Sequence, residues 1–64
     1  MKYKILARFW GSGDYYSPWI ANNIQERDHI LNELKNHYSI TSLKYCKIYK
    51  DGTEGTNYKI IRGE

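Results

Sequence analysis

Asn22-Asn23-Ile24-Gln25-Glu26-Arg27-Asp28-His29-Ile30-Leu31-Asn32-Glu33-Leu34-Lys35-Asn36-His37-Tyr38 is the one long helical pattern in this chain. It opens on two residues suited to cap a helix. Asn22 has Gln25 three positions on, and Asn23 has Glu26. Either pair makes a capping box, in which two orphan backbone N–H groups find side-chain acceptors. From there Ile24, Ile30, Leu31, Leu34 and Tyr38 recur at helical spacing. At ~100° per residue they fall within an arc of about 120°. Gln25, His29, Asn32, Glu33 and Asn36 take the other side. Arg27 falls inside the apolar arc, where a long stem can lie on apolar surface and carry its charge out to water. The spacing predicts a helix over about 23–38.

On both sides of this helix the period changes to two. Tyr3, Ile5, Ala7 and Phe9 alternate with Lys2, Lys4, Leu6 and Arg8, which predicts a strand over about 2–10 with the first set facing the core. Gly11-Ser12-Gly13-Asp14 is turn chemistry, and a second strand over about 16–21 closes a hairpin. Pro18 lacks a backbone donor and places that strand at a sheet edge. The competing reading makes Ser17 an N-cap and Pro18 the first residue of a helix. After the helix come a strand over about 41–50, a turn at Asp51-Gly52 lengthened by Gly55, and a last strand over about 57–62. The order ββαββ predicts an α+β fold: a small antiparallel sheet with one helix packed on one face, in a single domain over residues 1–64.

The later strands do not alternate cleanly. Leu43, Tyr45 and Tyr49 point one way, and Cys46 and Ile48 the other; Tyr58 and Ile60 oppose Ile61. One helix covers one face, so the second needs another cover. With 64 residues and a lone cysteine, the chain has a small core and no disulfide staple. The expectation is a homodimer, with Leu6, Cys46, Ile48 and Ile61 as the candidate dimer face.

The net charge of +3 is mildly basic and permits nucleic acid or an acidic protein as partner. Cys46, unpaired, fits a reducing compartment. The first ten residues hold charges but no apolar run, so no signal peptide is expected, and no stretch approaches a membrane span. Ile, Lys, Tyr, Asn and Phe supply 28 of the 64 residues. These are amino acids of AT-rich codons, which points to a low-GC bacterium or its phage; with the unpaired Cys46, the expected location is the cytoplasm of the bacterial host cell.

Catalytic chemistry has few candidates. His29, Glu33 and His37 lie one helical turn apart on the polar side, too far strung out for both histidines to reach one ion. They read as a solvated face with i,i+4 pairs. Cys46 has no catalytic signature and reads as a small hydrophobe. Gly11-Ser12-Gly13 lacks the rest of a phosphate-binding loop. Asp14 and Glu54 are loop residues that bracket no cleft. The expectation is therefore no enzyme, no catalytic residues, no metal and no cofactor.

Two binding surfaces remain. Trp10, Asp14, Tyr15, Tyr16 and Trp19 surround the first hairpin, and tryptophan and tyrosine are the favoured anchors of protein interfaces. Lys4, Arg8, Lys44, Lys47 and Lys59 interleave with tyrosines along the strands and could follow phosphates. Lys44 and Lys47, however, should face opposite ways.

The whole short chain, its AT-rich residues and the loop Trp10-Gly11-Ser12-Gly13-Asp14-Tyr15-Tyr16 resemble, in general style, small phage-encoded accessory proteins, above all anti-defence proteins. The resemblance implies a module without catalytic chemistry that binds a host protein and blocks it. Nucleic-acid binding through the basic residues is the alternative. A ribonuclease-type toxin using His29 or His37 is a weaker one.

Overall fold

The computed structural model describes residues 1–63. Four strands, β1 (Lys2–Phe9), β2 (Tyr16–Ala21), β3 (Ile40–Ile48) and β4 (Lys59–Arg62), form one antiparallel sheet in the order β2-β1-β3-β4. One helix, α1 (Ile24–Lys35), connects β2 to β3 and packs on one face. The α+β architecture expected from the alternating periods is the one observed.

The start of α1 follows from its cap. Asn23 has an extended backbone, with φ −156° and ψ 176°. Its Oδ1 accepts from the Glu26 N–H at 2.8 Å. Glu26 Oε1 in turn accepts from the Asn22 N–H at 3.0 Å and from Asn22 Nδ2 at 3.3 Å. Of the two boxes open in the sequence, Asn23 and Glu26 form the real one, with the carboxylate reaching one residue further back than usual. The far end differs from expectation. The helix ends at Lys35, not at Tyr38. Asn36 caps it, and the chain leaves through turns in which the His37 N–H donates to the Leu34 carbonyl at 3.0 Å and the Ile40 N–H to that of His37 at 3.2 Å. Tyr38 is thereby taken out of the helical arc and into solvent.

The core lies between sheet and helix. Tyr3, Ile5, Ala7, Ala21, Leu31, Ile40 and Leu43 form one buried cluster, with Phe9, Trp19, Ile30, Leu34, Tyr45 and Ile61 packed around it. Arg27 lies over this cluster, its guanidinium 4.9 Å from the ring centres of both Tyr3 and Tyr45. Its stem covers the rings while the charge pairs with Asp28 at 2.8 Å.

The hairpins are set by the expected turn residues. Gly11 has φ +83°, and Ser12 N–H donates to the Phe9 carbonyl at 3.0 Å. Gly52 has φ +89° within the turn in which its own N–H donates to the Tyr49 carbonyl at 2.9 Å. β2 is an edge strand, as Pro18 requires. Ile5 pairs with Trp19 and Ala7 with Tyr16, so Ser17 and Pro18 together oppose Leu6 in a bulge, a position where a residue without an N–H is tolerated. The helix alternative for Ser17 and Pro18 is excluded, since both lie in β2.

Candidate functional site

The sheet has a second face, on the side away from α1. Register places Lys2 opposite Ile48, Lys4 opposite Cys46 and Leu6 opposite Lys44 across β1 and β3. Lys4 pairs with Ile20 on β2, and Lys44 with Ile60 on β4. Side chains alternate along strands, so these residues share the open face. Its centre is nevertheless dry. Cys46 is only 1% exposed, and burial, followed by the nearby Glu54 carboxylate, pushes its thiol pKa up. It is an inert packing residue.

Long polar side chains close this face. Lys4 Nζ meets Glu54 Oε2 at 2.8 Å, and that hydrogen bond holds the Lys4 pKa above its ordinary value. The Lys44 ammonium sits between two rings, 4.2 Å from the centre of Tyr15 and 4.3 Å from that of Tyr58. The Arg8 guanidinium lies 5.3 Å from the same Tyr15 centre and donates to the buried Ser42 hydroxyl at 3.2 Å. Arg8, Tyr15, Lys44 and Tyr58 thus form a continuous cation–aromatic row.

The two candidate sets from the sequence are redistributed. Of the five basic residues, Lys4, Arg8 and Lys44 come together on the open face. Lys47 pairs with Tyr3, and Lys59 with Tyr45, so both lie on the helix side. The candidate dimer face changes too. Leu6, Cys46 and Ile48 are on the open face, but Ile61 packs against the helix-side cluster. A register shift between Leu43 and Lys44 leaves Ile61 as the extra residue and turns Ile60 outward, 54% exposed. A symmetric dimer joined across this face would set one basic surface against another.

The hairpin aromatics do not form one patch either. Tyr15 belongs to the open face. Trp19 packs on the core and borders a shallow depression with Ile30 and Leu34. Asp14 is held in the turn, where Ser12 Oγ donates to its carbonyl at 3.1 Å.

Trp10 instead joins an aromatic group that the sequence did not reveal. Phe9 makes edge contacts with Tyr16 and with His37, each at 5.9 Å between ring centres. His37 stacks on Tyr38 at 5.8 Å and 14°. Trp10 and Tyr38 border one cleft of about 310 Å³ with Ser39. Two hydrogen bonds fix this corner: the Trp10 N–H to the Ser39 carbonyl at 2.7 Å, and the Ser39 N–H to His37 Nδ1 at 3.2 Å. Trp10 is 82% and Tyr38 94% exposed. Asn36, a residue suited to ending helices, was the one signal that Tyr38 would leave the helix.

The histidines are far apart in role. His29 Nε2 lies 3.3 Å from Glu33 Oε1 on the exposed helix surface, whereas His37 is part of the aromatic corner. Among the described residues no three His, Cys, Asp or Glu side chains are grouped to hold a metal ion, and no helix is long and apolar enough to cross a membrane.

Comparison with known proteins finds no family model, no curated protein and no solved structure that matches this chain.

Proposed function

We propose that this chain is a non-enzymatic binding module that inhibits or modulates a host protein by occupying its surface, in the manner of the small phage anti-defence proteins it resembles in style. The observation that carries the reading is the aromatic corner. Trp10 and Tyr38 stand almost fully in water on either side of one cleft, on backbone pinned by two hydrogen bonds. Exposing two large rings side by side is unfavourable in water, and a partner that covers them gains their area at little rotamer cost. The footprint is Trp10 and Tyr38 with Tyr16 at its margin; Trp19 drops out because it is already packed on the core.

The test is affinity capture from a nuclease-treated lysate of a low-GC bacterium, with native chain and with Trp10→Ala/Tyr38→Ala as bait. Both side chains lie outside the core, so the double variant should keep the native circular dichroism and melting temperature while losing the captured protein. Unchanged capture by the folded double variant would remove the aromatic corner from the interface.

A further inference from the structure

The open sheet face holds a second surface of different chemistry, and we propose that it binds single-stranded nucleic acid. Charge selects the class of partner. The face carries Lys2, Lys4 and Lys44, with Arg8 at its end, and among the described residues Glu54 pairs with Lys4. A second copy would bring like charges together, whereas a polyanion complements them. Spacing selects further. Lys2 and Lys4 are alternate residues of one strand, about 6.6–6.8 Å apart along it. That step is comparable to the separation of successive phosphates in an extended strand.

The rings distinguish a nucleic acid from other polyanions. Tyr15 and Tyr58 each lie against the Lys44 ammonium, which brings the two rings to one cation on the sheet. Tyr58 still exposes 43% of its surface. Exposed aromatic surface beside a line of cations is what single-strand binding uses: bases stack on rings while the backbone runs over the cations. Tyr15 already meets both Arg8 and Lys44, so the base stacks on Tyr58, on the ring face that Lys44 does not take. Glu54 competes with phosphate for Lys4 and sets the affinity low. No base edge is read, so binding is tolerant of sequence.

The test uses the full chain and a fluorescein-labelled oligodeoxythymidylate of about 15 nucleotides, followed by fluorescence anisotropy over a salt series. Binding at low salt that weakens steeply as salt rises is expected. Lys44→Ala should reduce the log–log salt slope by about 0.7. Tyr58→Ala should weaken binding about five-fold. Glu54→Gln, with its native circular dichroism retained, should tighten it about two-fold or more. Lys47→Ala, which removes the same charge from the opposite side, should change little. Absence of binding at low salt overturns the proposal. Equal losses from Lys44→Ala and Lys47→Ala overturn it as well, since net charge alone would then explain the effect. Equal affinity for polyglutamate, which has charge but no bases, gives the face to an acidic polypeptide instead.

Discussion

The two faces of this sheet are built from the same four strands and are closed in opposite ways. Toward α1, Ile5 and Leu43 are 0% exposed, sealed by apolar side chains from another element. Away from it, Cys46 is almost equally buried, yet what surrounds it is Lys4, Lys44 and Glu54. With one helix among the described residues, the sheet still shields the centre of both faces, while Ile20 and Ile60 on the open side stay exposed. It does so on the open side with aliphatic stems whose charged ends remain in water. The difference is one of energetics: the helix side is sealed by apolar burial, and the open side by charged and aromatic side chains.

The sharpest way to break this comparison is to truncate neighbours on β3 that point to opposite faces. Leu43→Ala leaves a cavity in the helix-side cluster and should lower stability by about 2–5 kcal/mol in urea unfolding. Lys44→Ala, one residue on, should cost less than about 1 kcal/mol, the range of an exposed cation–π contact. Comparable losses would mean that the open face is as much a core as the other. Asn23→Ala tests how far the helix depends on its own cap. It should lower the unfolding free energy by about 1 kcal/mol, with Asn23→Gly losing only a few tenths.

Smaller effects probe the charged rim. Lys4 has a raised pKa through its hydrogen bond to Glu54. The stability this pair contributes is present in full below the ordinary lysine value and is lost as pH rises through the raised one. Native chain should therefore lose melting temperature relative to Glu54→Gln above about pH 10.4, and the pair should be worth at most about 1 kcal/mol because it is half in water. The smallest effect is expected in the turn at residues 51–53. Asp51 accepts from the Thr53 hydroxyl at 2.7 Å and from its N–H at 3.0 Å, which hold its carboxyl below the usual range. That contribution is present above the usual carboxylate value and lost as pH falls through the lowered one, so Asp51→Asn should flatten the acid limb of the melting curve slightly.

Local chemistry made much of this fold legible. Asn23 and Glu26, the alternation from Tyr3 to Phe9 and the donorless Pro18 each act within a few residues of themselves, and helix start, central strand and edge strand follow. What stayed hidden depends on contacts between elements. A bulge opposite Leu43 and Lys44 exchanges Ile60 and Ile61, and no pattern inside β4 announces a slip in its partner. Lys44 shares its parity with Cys46 and Ile48 and Lys47 with Leu43 and Tyr45, so these two were separable, whereas the side that Lys59 takes depends on the register of β4 against β3. Tyr38 fits the helical arc by spacing, and only the early stop at Asn36 makes it a surface ring beside Trp10.

The strand order has a consequence for synthesis. β1 is made first yet ends in the middle of the sheet, between β2 and β3. Its hairpin with β2 can close early, but its other edge pairs with residues as late as Ile48. At ~5–20 residues per second, the stretch from Phe9 to Ile48 takes roughly two to eight seconds to translate. Throughout that time Tyr3, Ile5 and Ala7 lie on a strand with one unpaired edge. During that interval Lys4 and Arg8 act as charges on the strand that discourage another strand from taking β3's place.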